Sequence, residues 1–581
     1  MRIPPRLAAV VVCTGLTAGA VAIPLLAASE AANGPPDSTA GTAPEDGSPT
    51  AEPGVVAVTD GIATISKAGI VWDPTLEVNR IHLQFPAGPK PEASVMAGDS
   101  QAAARLDSLY RDSKAAGNFG DIYDNRDRGH SLMPVDLFAQ LARTHYDDSA
   151  SGFDRGLNAA LLFGTPTIGN ASLAITEGPF WRSLPRAALV EPKQVQALYQ
   201  EYVSNQIYVY PAHHDHDPGR GDVYPANTPY YLISQGSSGS DQPILQAVAA
   251  ILAAFQPDVK SFLVSHGLLA PTVQWIYRIS QDGVKTNSTY LTGKAHPTVF
   301  DGSSLNVLEM VNRANQVTVA DIPPLVSIKV TEESGVGSPA DASLPLIPDR
   351  LFDTPSAIAR VIHSTAQQKR LVVDAGGTVD PGGQPLTFRW VVLNGKADIY
   401  LLDDSGSKAE IVVPWYERQP MIWQPNLTSD RVDIGVFASH GSYWSAPAFI
   451  SLDFPANEKR SYRADGQIAE IDYDDPAFRQ RYVDPLLFPA RHWHDVFRYD
   501  DYGDFLGWNR IRDNVMRRFS RDGAQVTDID DFGRPVRALE IQYKLGRSSD
   551  GLPEVDEVPT GHVVTYRYRG AADLIGVPTK N

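Results

Sequence analysis

The stretch "YPAHHDHDPGRGDVYP", residues 210–225, sets His214, Asp215, His216, Asp217 and Asp222 close together between proline and glycine turns. Alternate carboxylates at Asp215 and Asp217, with glycines returning Asp222, suit calcium, which takes about six to eight oxygen ligands. On an extended segment His214 and His216 point the same way, which suits zinc once a distant residue such as His130 or His296 completes the set. The plainer alternative is a solvated polar loop between "IYVY" and "TPYY". The expected cofactor is calcium, with zinc as the alternative. No organic cofactor is expected, since no dinucleotide fingerprint or phosphate loop occurs.

Two further clusters offer acid, base or nucleophile. "YYLISQGSSGSDQPILQAV" reads as strand, Gly/Ser turn and helix, and Ser238 stands where a nucleophile elbow would hold its serine. His266 or His296 is the candidate base, with Asp301 to orient it. The competing explanation is helix capping by Ser240 or Asp241, with Pro243 in the first turn. In "YDNRDRGHS", Asp127 and His130 form a candidate acid/base pair, and Arg126 and Arg128 would grip an anionic group; a salt-bridged surface loop is the bland alternative. "EGPFWRSLPR" adds Glu177, Trp181 and Arg182, the indole being able to stack on a sugar ring or to serve as core.

The elements that must position these groups follow from periodicity. Residues 1–32 have Arg2 and Arg6 before an apolar run ending in small residues, the layout of a signal peptide; residues 33–55 are Pro, Gly, Ser, Thr and acid, a disordered linker. Over 56–322, "AAARLDSLYRDSKAAG", "PVDLFAQLARTHY", "PKQVQALYQEYVSNQ", "PILQAVAAILAAF", "PTVQWIYRIS" and "SLNVLEMVNRAN" all place apolar residues at helical spacing. That predicts a helix-rich domain with few short strands, including "YYLIS". Beyond "ADIPPL" the chain turns to short β-branched runs, which predicts a β-sandwich over 323–457, and residues 458–581 read as a β-rich segment with Asp-Gly hairpin turns. The fold class is α+β multidomain.

"LVVDAGGTVDPGGQPLTFRWVVLNG" resembles the PKD family of immunoglobulin-like modules of exported and cell-surface proteins: Asp374, Asp380, Pro381, Leu386, Phe388 and Trp390 follow that family's order, over about residues 324–457. Its Asp-Phe-Gly-Asp-Gly stretch is replaced by "VVLNG". Asp465-Gly466 and Asp522-Gly523, with Asp530, Gly533 and Arg534, are similar to tyrosine-aspartate repeat hairpins of bacterial surface proteins. The large N-terminal domain resembles no family of established activity.

The lone Cys13 lies in the signal segment, so the mature chain has no disulfide or thiol nucleophile. With 68 acidic against 50 basic residues, net charge is -18, and no basic stripe exists to hold nucleic acid or anionic membrane. Together these features predict a protein that is secreted, periplasmic or at the cell surface, with no transmembrane helix after signal cleavage. Its expected activity is hydrolysis of an extracellular polymer such as a polysaccharide, the alternative being a non-catalytic protein that binds cell-surface glycan.

Overall fold

The computed structural model describes residues 54–87, 93–157, 160–176, 181–334, 349–478 and 481–580. The signal segment, most of the linker and Glu177 lie outside the described residues. Among the described residues no single helix is long and apolar enough to cross a membrane.

Residues 55–322 build on a ten-stranded sheet. Its centre is parallel, in the spatial order Tyr231–Ser234, Gln206–Pro211, Thr167–Asn170, Ile122–Asn125, Ala142–Tyr146, Ile62–Ile65. Five of the six helical segments fold as helices, at Gln101–Arg111, Pro192–Val203, Gln242–Ala254, Leu269–Ile279 and Val307–Gln316. The expectation of few short strands is corrected, and so is the helix at "PVDLFAQLARTHY". There a 3-10 turn, Val135–Phe138, buries Phe138, and Ala142–Tyr146 pairs as a strand on both edges. Four of these strands, Tyr231–Ser234, Gln206–Pro211, Thr167–Asn170 and Ile122–Asn125, are only four to six residues long and almost wholly buried, so they carry no alternation of apolar and polar residues.

The chain changes direction at the sheet's middle. After Asn125 it returns through Ala142–Tyr146 on one side; after Asn170 it returns through Gln206–Pro211 on the other. Loops leaving adjacent strands in opposite directions open a crevice at their carboxyl ends, where ligands bind in open α/β sheets.

The next region is two sheets face to face. Lys329–Glu333, Gln368–Asp374, Lys408–Pro414 and Asp398–Leu401 form one; Arg350–Thr354, Ala357–Val361, Ala448–Asp453, Arg431–Ser439 and Thr387–Asn394 form the other. Ile358, Val436 and Ile450 point into the sandwich, while Ala357, Phe437 and Phe449 point outward and join the core of the α/β unit. Period-two alternation therefore buries both faces of the five-stranded sheet, which is why Arg431–Ser439 is buried throughout. Finally, nine antiparallel strands in sequence order, from Lys459–Tyr462 to Val577–Lys580, make a meander around Trp493, Trp508 and Phe519. Gly466 and Gly523 turn two of its hairpins with φ of 83° and 88°.

Candidate active site at the carboxyl edge of the parallel strands

Four loops leave the carboxyl ends of the strands that finish at Asn125, Asn170, Pro211 and Ser234. They bring together Asp127, His130 and Ser131; Ser172; His213 and His214; and Ser238 and Asp241. At the switch point, the backbone N–H of Ser172 donates to Asp127 Oδ2 at 2.8 Å, and Ser172 Oγ donates to Ser238 Oγ at 2.8 Å. His130 Nδ1 lies 3.9 Å from Asp127 Oδ2. Asp241 is held at both oxygens, accepting from Ser131 Oγ and from Asn170 Nδ2, each at 2.7 Å. Asn170 Oδ1 accepts in turn from Tyr123 and Asn125. Three loop residues, Arg128, Ser131 and His213, adopt left-handed φ of 59°, 58° and 53°. Strain of about 1–3 kcal/mol apiece is tolerated where the surroundings over-determine the backbone, and it concentrates at functional sites.

Asp127 is the unusual group. Its side chain is fully buried, and Oδ1 has no hydrogen-bond partner. Burial raises its pKa, the Ser172 N–H, the neighbouring Asn125 side chain and His130 opposing, and the net shift is upward. His213 moves the other way: burial lowers it, although Asp215 and Asp241 pull it up. Trp181 meets His213 and His214 edge-on, with ring centres 5.9 and 5.1 Å apart.

The remaining predicted residues lie elsewhere. Arg126 does not grip a ligand: fully buried, it bonds Asp124 Oδ2 at 2.7 Å and Glu201 Oε1 at 3.2 Å, and it contacts the Tyr208 hydroxyl. Arg128 is exposed but turned onto Asp154 at 3.2 Å. Arg182 is buried against Asp484. His296 is no base for Ser238; its Nε2 faces the Tyr290 carbonyl at 2.6 Å and its ring packs against Phe437. His266 stacks on Phe262 at a helix end.

The five nominated metal ligands do not converge either. Asp215 pairs with Arg186 at 2.7 Å and accepts from Ser183 N, Asp222 pairs with Arg431 at 2.9 Å, and His216 Nδ1 lies 2.6 Å from Gln235 Oε1. Asp217 turns its own loop through Gly219 N and Arg220 N, with His214 Nδ1 3.5 Å away. Buried guanidiniums neutralise two of the three carboxylates that the cation reading assigned to calcium, Asp215 and Asp222. Among the described residues no group of three His, Cys, Asp or Glu is placed to hold a metal.

For acyl transfer the serine lacks its partner. Among the described residues no histidine hydrogen-bonds Ser238, and the Gly239 and Ser240 N–H groups are used on Ser131 Oγ and Ser237 O. The sequence signalled Asp127, His130 and Ser238 but not Asn170 or Ser172, single polar residues at a strand end without a motif. Asp241 reads as a helix cap, yet it makes no cap bond and buttresses Ser131 and Asn170 instead.

The fold and site define a mixed α/β protein with many sheets and a cluster of polar loop residues at a parallel sheet's carboxyl edge. No family model matches the chain, and no curated protein matches it. Among solved structures it is similar to a nucleoside hydrolase-related hypothetical protein from Saccharophagus degradans, described as associated with carbohydrate metabolism. That likeness has 11% identity and a TM-score of 0.17, over 50% of this chain and 71% of that one.

Proposed function

We propose that the protein is an exported hydrolase that cleaves a bond in an extracellular glycan, with water activated by Asp127. The supporting observation is the buried Asp127 carboxyl at the switch point, one oxygen fixed by Ser172 N–H and the other without a partner. A carboxylate raised by burial is a stronger base than an exposed one, and a water admitted beside the free oxygen on substrate binding would be activated for attack. His130, exposed and 3.9 Å away, is placed to hand a proton to the leaving oxygen. The Ser238 hydroxyl, exposed and oriented by Ser172, binds substrate hydroxyl rather than attacking. Trp181 over His213 and His214 supplies an apolar wall of the kind that packs against a sugar ring.

The test is turnover by the purified protein on a panel of polysaccharides and oligosaccharides, beside Asp127→Asn. Loss of a catalytic base costs about 10²–10⁴-fold in kcat. Absence of turnover across the panel, or equal turnover by the variant, overturns the reading.

A further inference from the structure

The outer face of the C-terminal meander carries two arginines that no carboxylate answers. In the antiparallel register of His494–Tyr499, Phe505–Arg512 and Val515–Ser520, Phe497, Trp508 and Phe519 stand side by side and point into the core. Side chains alternate along a strand, so Arg498, Asn509 and Arg518 share the opposite face, each of them only part-buried. Gly507, opposite Arg498, has no side chain to stand between the two arginines. Two strand spacings and one two-residue step set the Cα atoms of Arg498 and Arg518 about 12 Å apart on a diagonal.

Arginines on the inner face are paired: Arg510 with Asp495 at 2.6 Å and Glu557 at 2.7 Å, and Arg517 with Glu557 at 2.5 Å. Arg498 and Arg518 have neither an ion pair nor a hydrogen bond among the described residues. Acids on neighbouring strands and turns are already engaged, Glu470 with His494 at 3.3 Å, Asp522 with the Tyr566 hydroxyl at 2.9 Å and Asp530 with Arg534 at 2.7 Å. Burial lowers the pKa of both guanidiniums, and the charge of Arg498 lowers Arg518 further, with Tyr568 opposing. Two like charges drawn partly out of water are unfavourable until an anion joins them. In a chain of 68 acids and 50 bases, carboxylates to pair them were not scarce.

The face is an open sheet surface, and Ile511 and Met516 lie exposed on it at 37% and 66%. It has no walls to enclose a small molecule, whereas a polymer can lie across the strands, set an anionic group on each guanidinium fork and rest ring faces on the apolar side chains. We infer that this face binds an acidic glycan through its carboxylates or sulfate esters. The inference rests on the glycan reading above and adds that the polymer is anionic and is held away from the reacting bond. At about 0.15 M salt, charge acts over about 8 Å, so the net -18 of the whole chain does not outweigh two guanidiniums in contact.

Isothermal titration of the full-length protein at that salt concentration tests it, with polygalacturonate, dextran sulfate and uncharged dextran. Binding of polygalacturonate is expected if carboxylates are read and of dextran sulfate alone if sulfates are, with none of dextran. Arg498→Gln with Arg518→Gln is expected to weaken binding at least tenfold, and the two lysine replacements less, because lysine keeps the charge without the fork. The glutamine pair should melt no lower than wild type, since it removes repulsion. The inference is overturned if neither acidic polymer binds at millimolar repeat units, if dextran binds equally, if the glutamine pair binds as wild type does, or if duplex DNA or anionic vesicles bind more tightly than either polymer. The Asp127 reading fails separately: polymer binding that needs both arginines, with no turnover of any glycan, sinks that reading and leaves this one standing.

Discussion

At the residue scale the proposed reaction turns on one buried carboxyl. Burial raises Asp127, so kcat/KM is expected to rise with pH along a limb whose midpoint lies above the ordinary aspartate value near about 3.9, and Asp127→Asn should remove that limb. The sign for stability follows from the same shift. A carboxyl raised in the folded state penalises folding once it ionises, so Asp127→Asn is expected to melt at or above the wild-type temperature at pH 7. A calorimetric scan showing clear destabilisation would contradict this account. The sequence made Asp127, His130 and Ser238 legible because each sits in a dense polar motif. It misassigned His296, Arg126 and Arg182 because residue type does not reveal burial: Arg126 and Arg182 are consumed by carboxylates far along the chain, at Glu201 and Asp484.

Single positions also matter to how elements fit. Gly169 lies mid-strand beneath Tyr208; an added Cβ would come within 2.0 Å of that ring and 2.7 Å of the Asp124 carbonyl oxygen. The missing side chain lets Tyr208 lie against Arg126, whose guanidinium carbon is 4.2 Å from the ring centre, and lets the hydroxyl donate to Asp124 at 2.6 Å. Gly169→Ala is expected to cost about 1–3 kcal/mol, measured by urea unfolding. A change below about 0.5 kcal/mol would show that the strand yields more readily than its packing implies. Long amphipathic helices were readable, and so were the sandwich strands, because turn residues bracket them. Of the parallel strands, "YYLIS" was readable from the turn that follows it, whereas Ile122–Asn125 and Thr167–Asn170, four largely buried residues each, carry no clear period, and Ala142–Tyr146 follows a turn that lends it helix-like spacing.

Buried ion pairs join the regions of the whole molecule. Asp484, from the C-terminal part, accepts from Arg182 and Arg186, and Arg186 also holds Asp215 beside the candidate site. Burial alone would raise Asp484, but Arg186 and Arg182 more than offset it and hold the carboxyl well below the usual range. A depressed carboxyl contributes stability above its unfolded value and loses it as pH falls, so the melting temperature is expected to drop below about pH 4. Asp484→Asn should lose about 3–5 kcal/mol at pH 7 and show a shallower acid dependence. Parallel acid titrations of the two proteins would count against this if they had the same slope. The acidic composition argued against nucleic acid, but nothing in the linear order announced these pairings, whose partners stand hundreds of positions apart. The five-stranded sheet gives a different consequence. Its outward Phe437 and Phe449 are lodged in the α/β core, and the crossing at Ile322, Pro323 and Pro324 is itself buried. The module is therefore not an interchangeable bead: transplanted to another host it would carry a greasy wall with nothing to lean on, and the donor left behind would bare the matching wound.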